Sequence, residues 1–173
     1  MNHGVRGEDS IADASLVKNL CEAYQIPFEI QNIDPSLFET KDSFESKARE
    51  LRYQILFDIQ KKQQLDCILT AHHADDQAET LYMRIRRGSS LKGLQGILAK
   101  REDQVVRPFL HLTKAFLIEY AKKHCLKWRE DLSNQKTIFA RNKTRLLILP
   151  YLESQTPGIT STLSHIATLS HDV

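Results

Sequence analysis

Cys67-Ile68-Leu69-Thr70-Ala71-His72-His73-Ala74-Asp75-Asp76-Gln77-Ala78-Glu79-Thr80 runs from a short apolar stretch directly into two histidines and three acids. The first five residues, bounded by polar neighbours, predict a strand buried on both faces of a parallel sheet. Ala74, Ala78, Leu81, Tyr82 and Ile85 then recur at helical spacing, so a helix follows and stops near Gly88. In an open parallel sheet, ligands gather beyond the carboxyl ends of the strands, where the loops meet helix N-termini. The polar residues from His72 onward occupy that position.

The same alternation extends to both sides. Upstream, Leu16, Val17, Leu20, Cys21 and Tyr24 predict an amphipathic helix from Ser10 to Tyr24, with Ser10 and Asp13 as a capping pair. Pro27 blocks its continuation, and Phe28 to Ile33 alternates as a strand would. Phe44, Ala48, Leu51, Ile55 and Ile59 trace one face of a longer helix whose start Asp42 and Glu45 can cap. Downstream, Gln104 to Phe109 is strand-like, and a helix from about Thr113 to His124 turns Phe116, Leu117, Tyr120 and Ala121 inward. Leu126 to Ala140 reads as a polar loop, Arg141 to Leu152 as a short helix, and Gly158 to Val173 as a weakly periodic tail. Strands alternating with helices predict an α/β fold: an open, mostly parallel doubly wound sheet.

Composition narrows the class. The chain has 173 residues, 41% hydrophobic, 27% charged and 8% aromatic, within the range of one globular domain. Six glycines and five prolines exclude collagen-like and low-complexity chains. Apolar runs such as Leu146 to Leu149 are far short of a membrane span, and Met1 to Asp9 has no apolar core for a secretory signal. Cys21, Cys67 and Cys125 are odd in number and widely spaced, which gives no disulfide framework and no CxxC pair, so a reducing cytoplasm is expected. The net charge of +2 hides a division: residues 1–79 sum to −7, residues 80–145 to +11 and the remainder to −2. A basic middle segment predicts a polyanionic partner, nucleic acid before a membrane surface, or else a solvated helix face.

His72, Asp76 and Glu79 follow at steps of four and three, so they can line one side of the helix entrance. Such a group suits a metal, a cationic substrate or acid–base work. The plainer alternative is that Asp75 and Asp76 complement the helix dipole while His72 bonds a neighbouring loop. A zinc site lacks a second cluster, since His3, His111, His124, His165 and His171 are scattered singly, and no metal ligand set is read.

His72-His73-Ala74-Asp75-Asp76-Gln77-Ala78-Glu79-Thr80, with Arg87-Gly88-Ser89 and Gly93-Leu94, resembles the corresponding stretch of bacterial tRNA(Ile)-lysidine synthetases. Three further segments agree in order: Asn2-His3-Gly4-Val5-Arg6-Gly7, Ala48-Arg49-Glu50-Leu51-Arg52-Tyr53, and Trp128-Arg129-Glu130-Asp131-Leu132-Ser133-Asn134 with Arg141-Asn142 and Arg145. Four ordered motifs from about residue 2 to 152 make a strong signal where one alone would be weak. The resemblance implies an N-type ATP pyrophosphatase (PP-loop) domain over 1–152, adenine nucleotide alpha hydrolase-like, followed by a tail over 153–173. It implies a ligase that adenylates the wobble cytidine of a tRNA(Ile) with a CAU anticodon, spending ATP to AMP and pyrophosphate, and then lets the amine of L-lysine displace AMP. Asp76 and Glu79 have the right charge for the lysine ammonium and Arg52 for a carboxylate or phosphate, while His72 would orient the amine or contact the nucleotide. Arg87, Arg129, Asn134, Arg141, Asn142 and Arg145 would meet tRNA; His3 and Arg6 would lie near ATP, and Mg²⁺ is implied by ATP chemistry. For Arg84 and Arg86 an exposed helix face serves equally well, and Trp128 is either a stacking platform or a packing anchor.

The family also carries an SGGxDS loop whose amides cradle pyrophosphate. These 173 residues contain no Gly-Gly pair, and Asn2-His3-Gly4 corresponds to the end of the family's second strand. The expectation is an N-terminally truncated sheet, lacking its first strand and phosphate loop, incompetent alone and complete with a segment that supplies SGGxDS. The alternatives are a non-catalytic tRNA-binding remnant and another PP-loop tRNA-modifying enzyme, although a sulfur-inserting member predicts cysteine pairs.

Overall fold

The computed structural model describes residues 8–31, 41–130 and 140–170. The chain divides into two units, one of residues 1–65 with 127–129 and one of residues 66–126 with 130–173.

The first unit holds α1 (Glu8–Ala23) and α2 (Lys41–Gln63). α1 begins ahead of Ser10, which therefore lies within the helix and does not cap it. Along α2 the apolar face is the one expected: Ala48 is buried and Leu51, Ile55 and Ile59 are half-buried. The side chains of Asp42 and Glu45 lie outside the described residues. The expected strand from Phe28 to Ile33 is not formed over its described part, Phe28 to Gln31. No ladder partner meets it among the described residues of this unit, and alternation alone cannot satisfy backbone donors and acceptors.

The second unit carries the sheet. β1 (Ile68–Leu69) pairs in parallel with β2 (Val105–Val106), with Ile68 opposite Val105 and Leu69 opposite Val106. Ile68 N–H donates to Gln104 O at 3.1 Å and Thr70 N–H to Val106 O at 3.0 Å. Residues 99–101 fold back on β2 through Arg101 N–H to Val105 O and Arg107 N–H to Ala99 O. Parallel pairing agrees with the expected α/β class, but β1 is not buried on both faces: Ile68 is 6% exposed and Leu69 64%. Among the described residues only the Ile68 face is covered.

α3 (Ala74–Arg86) leaves the end of β1 and buries Ala78 and Leu81 against Leu149, Leu163 and Ala167. Fully burying a leucine contributes about 1.5–3 kcal/mol, so this small cluster anchors the helix. Its apolar stripe is shorter than the periodicity predicts, since Ile85 is half exposed. α3 ends at Gly88, whose φ of +76° lets its N–H bond Ile85 O while Ser89 N–H bonds Arg84 O. α4 (Lys114–Lys123) falls within the expected stretch and is capped by Thr113, whose side chain accepts from Phe116 N–H. It half-buries Leu117, Ile118 and Ala121, whereas Phe116 and Tyr120, expected inward, are 51% exposed.

α5 (Ala140–Lys143), a π turn (Thr144–Ile148) and α6 (Leu149–Gln155) form one helical run, with Leu149 N–H donating to Thr144 O five residues back. Pro150 has no N–H for a carbonyl four residues back and its ring would crowd that carbonyl, which accounts for the widened turn. Gly158 to Val173 reads in sequence as a weakly periodic tail, yet α7 (Ile159–Leu169) forms there and packs along α3 with Leu163 and Ala167 buried. Glu153 starts it by accepting from Gly158 N–H at 2.5 Å and Thr160 N–H at 3.0 Å.

Candidate active site

The end of β1 delivers His72 and His73, and the first turns of α3 deliver Asp75, Asp76 and Glu79. His73 is the N-cap, and its N–H donates to Asp76 Oδ2 at 3.1 Å. Its ring stands 3.5 Å from both Asp75 and Asp76. Asp75 Oδ2 accepts from Lys114 N–H at 2.8 Å, and so ties the start of α3 to the start of α4. The His73 hydrogen bond, together with that amide, holds the Asp75 carboxyl below the ordinary aspartate range against the opposing effect of burial.

Arg141 and Arg145 close over these acids. Arg141 Nε donates to Glu79 Oε2 at 2.8 Å, and its Nη2 to Asp76 Oδ1 at 3.2 Å and Asp76 O at 3.4 Å. Arg145 Nε donates to Glu79 Oε1 at 2.5 Å, while its Nη2 reaches Glu79 Oε2 and Asp76 Oδ1, both at 3.0 Å. The Glu79 side chain is 1% exposed and that of Asp76 13%, so ionised carboxylates there require opposing charge and donors. Burial pulls the Arg145 pKa down, but the Glu79 hydrogen bond and the charges of Glu79 and Asp76 outweigh it and raise the pKa.

The structure thus brings together Asp76, Glu79, Arg141 and Arg145, which the sequence divides between lysine and tRNA. Asn142 lies half-buried on α5 beside them in sequence. His72 sits at the strand end with Nδ1 3.0 Å from Thr70 Oγ1. Arg87 is the exposed C-cap of α3. Arg52 is exposed on α2 of the first unit, where Arg129 also lies and pairs with Asp13 at 2.6 Å. His3, Arg6 and Asn134 lie outside the described residues. Arg84 is half-buried and donates to Gly93 O at 2.6 Å, so it pins the following loop and does not form an exposed helix face, whereas Arg86 is exposed, and Trp128 is 46% exposed.

Sequence reasoning missed Gln77. It is fully buried and pairs with the backbone of Ile97 in both directions, Nε2 to Ile97 O at 3.0 Å and Ile97 N–H to Oε1 at 2.5 Å. Gly96 has a φ of +61°, and a Cβ there would strike Gln77 Oε1 and stand 2.9 Å from Ala167 Cβ. A polar residue on the apolar face of α3 was the available signal. His73 was also passed over for His72, because spacing alone does not tell which ring meets the aspartates.

Residues 1–152 match the PP-loop domain. The chain belongs to that family. This PP-loop domain is 38% identical over 155 residues to the tRNA(Ile)-lysidine synthase of Clostridium tetani, a match covering 88% of this chain and 33% of the relative. It is 39% identical over 166 residues to the bifunctional protein TilS/HprT of Listeria monocytogenes, covering 93% of this chain and 26% of the relative. The tRNA(Ile)-lysidine synthase of Clostridioides difficile is 39% identical over 155 residues, of which the chain spans 34% of the length. The chain therefore covers about a third or less of these relatives. Among solved structures, the U34-tRNA thiolase NcsA from Methanococcus maripaludis superposes with a TM-score of 0.74 at 18% identity over 99% of this chain and 60% of that one. That likeness establishes the α/β fold alone.

Proposed function

We infer that this PP-loop domain serves a tRNA(Ile)-lysidine synthase-type ligase. The observation that carries the reading is the meeting of Asp76 and Glu79 with Arg141 and Arg145, from two motifs of the resemblance, at the carboxyl end of β1. Identity of 37–39% to curated lysidine synthases and TilS/HprT proteins supports the same assignment. On this reading ATP adenylates the wobble cytidine of a tRNA(Ile) with a CAU anticodon, and pyrophosphate leaves. The lysine amine then forms a carbon–nitrogen bond as the bond to AMP breaks, and the amine proton passes to a base. His72 orients that amine, Asp76 takes the lysine ammonium with the arginine-held Glu79 behind it, and the resemblance assigns Arg52 to a carboxylate or phosphate. Arg87, Arg129, Asn134, Arg141, Asn142 and Arg145 serve the tRNA, and His3 and Arg6 the nucleotide.

Mg²⁺ would come with ATP, whose phosphates and one or two carboxylates suffice to hold it, and the described residues offer no full ligand set of their own. No three His, Cys, Asp or Glu side chains gather as a ligand set among the described residues, and Asp76 and Glu79 are taken up by guanidiniums. No step is derived through it. The lysidine synthase reading itself puts the work on tRNA in the cytoplasm; separately, no helix among the described residues is long and apolar enough to cross a membrane.

The test supplies the chain with a segment carrying SGGxDS and measures incorporation of radiolabelled lysine into the tRNA, together with lysine-dependent AMP release. Incorporation is expected. A folded complex that binds the tRNA but releases no AMP would support a non-catalytic tRNA-binding role instead.

A further inference from the structure

The cluster of Asp76, Glu79, Arg141 and Arg145 joins two carboxylates to two guanidiniums, so these four charges balance one another and both carboxylates are already engaged, with Asp75 the nearby excess charge that Arg145 also feels. An ammonium can enter only if a guanidinium leaves. The four side chains are unequally placed for such an exchange. Glu79 is buried beneath the fork of Arg145, while the Arg141 and Arg145 side chains are 31% and 28% exposed. Arg141 has the weaker hold on Asp76, where its contacts at 3.2 and 3.4 Å are the longest in the cluster, and it meets Glu79 with Nε alone at 2.8 Å, whereas Arg145 holds Glu79 with two nitrogens. A phosphodiester accepts a guanidinium as readily as a carboxylate does, by the same two-pronged geometry.

Resting on the lysidine synthase reading, we propose that the two arginines are built-in counter-ions and that an RNA phosphate draws Arg141 off Asp76, opening the aspartate to the ammonium of the amino acid. Departure of Arg141 leaves the remaining three groups at a net −1, which the ammonium restores to neutrality. Arg145 stays on Glu79 and keeps its 3.0 Å contact with Asp76 Oδ1, so the ammonium takes the place that Arg141 vacates on the aspartate. RNA and amino acid therefore bind with positive coupling, each tightening the other by the same factor.

The test is calorimetry on the full chain, titrating L-lysine with and without an RNA stem-loop bearing a CAU anticodon. RNA is expected to tighten lysine at least tenfold, and lysine to tighten RNA equally. In Arg141→Gln, lysine should bind without RNA about as tightly as it binds the RNA-bound wild type, with coupling within twofold of unity. Equal lysine affinity with and without RNA in the wild type, or weaker lysine binding in Arg141→Gln, would overturn the proposal. The wild-type comparison stands even where the variant fails to fold. Coupling without lysine incorporation into tRNA would reject the ligase reading alone, whereas incorporation without coupling would reject the counter-ion exchange alone.

Discussion

Arg145 grips Glu79 with both arms of its guanidinium fork, Nε on Oε1 at 2.5 Å and Nη2 on Oε2 at 3.0 Å, and so joins the π turn to the second turn of α3. Arg145→Ala leaves a carboxylate that is 1% exposed with only Arg141 against it. The expected loss is about 3 kcal/mol, read as a lower urea midpoint at unchanged m value. Glu79→Leu combined with Arg145→Met should cost much less than the sum of the two single changes, and strict additivity would count against the pair.

Gly96→Ala meets two obstacles, a φ of +61° and the side chains of Gln77 and Ala167. About 2 kcal/mol or more of stability should be lost. Gln77→Leu should cost about 1–3 kcal/mol by leaving Ile97 N–H and C=O without their partner. Thermal melting of both variants checks this, and an unchanged midpoint for Gly96→Ala would refute the close packing of α3, α7 and this loop.

Glu153 accepts from the Gly158 and Thr160 amides and the Thr160 hydroxyl, which hold its carboxyl below the usual glutamate range. A depressed folded pKa contributes stability above the unfolded pKa and loses it as pH falls through the folded value. The stability gap between the wild type and Glu153→Gln should therefore be widest near neutrality and close in acid. A gap independent of pH between 7 and about 3 would remove the charged cap.

Gln25, Gln64 and Cys125 have φ of +54°, +53° and +52°, each just past the end of a helix. In each case the αL residue bonds back to the helix, as Gly88 does after α3. Gln64→Gly should stabilise by about 0.5–1 kcal/mol, since glycine adopts this conformation without a Cβ penalty. A rise in the urea midpoint is the readout.

On the ligase reading, Asp76→Asn should raise the KM for lysine at least tenfold and leave the KM for ATP within about twofold. Equal losses in both would argue against an ammonium role for Asp76.

The sequence by itself determined the strand-to-helix junction at His72, the α/β class and the motif order that leads to the PP-loop family. Those follow from local periodicity and from residue types at short spacing, which a linear reading retains. Phe28 to Gln31 and Leu69 were misread because strand formation and two-sided burial need partners that alternation does not specify. α7 was missed since its stripe becomes informative only against α3. Helix ends at Gln64 and Cys125 lacked the glycine that usually marks them. Only the tertiary structure decided that Arg141 and Arg145, more than sixty residues from Asp76 and Glu79, are their counter-ions. The physical reason is burial: a carboxylate as enclosed as Glu79 must find its opposite charge in space, wherever the chain has put it.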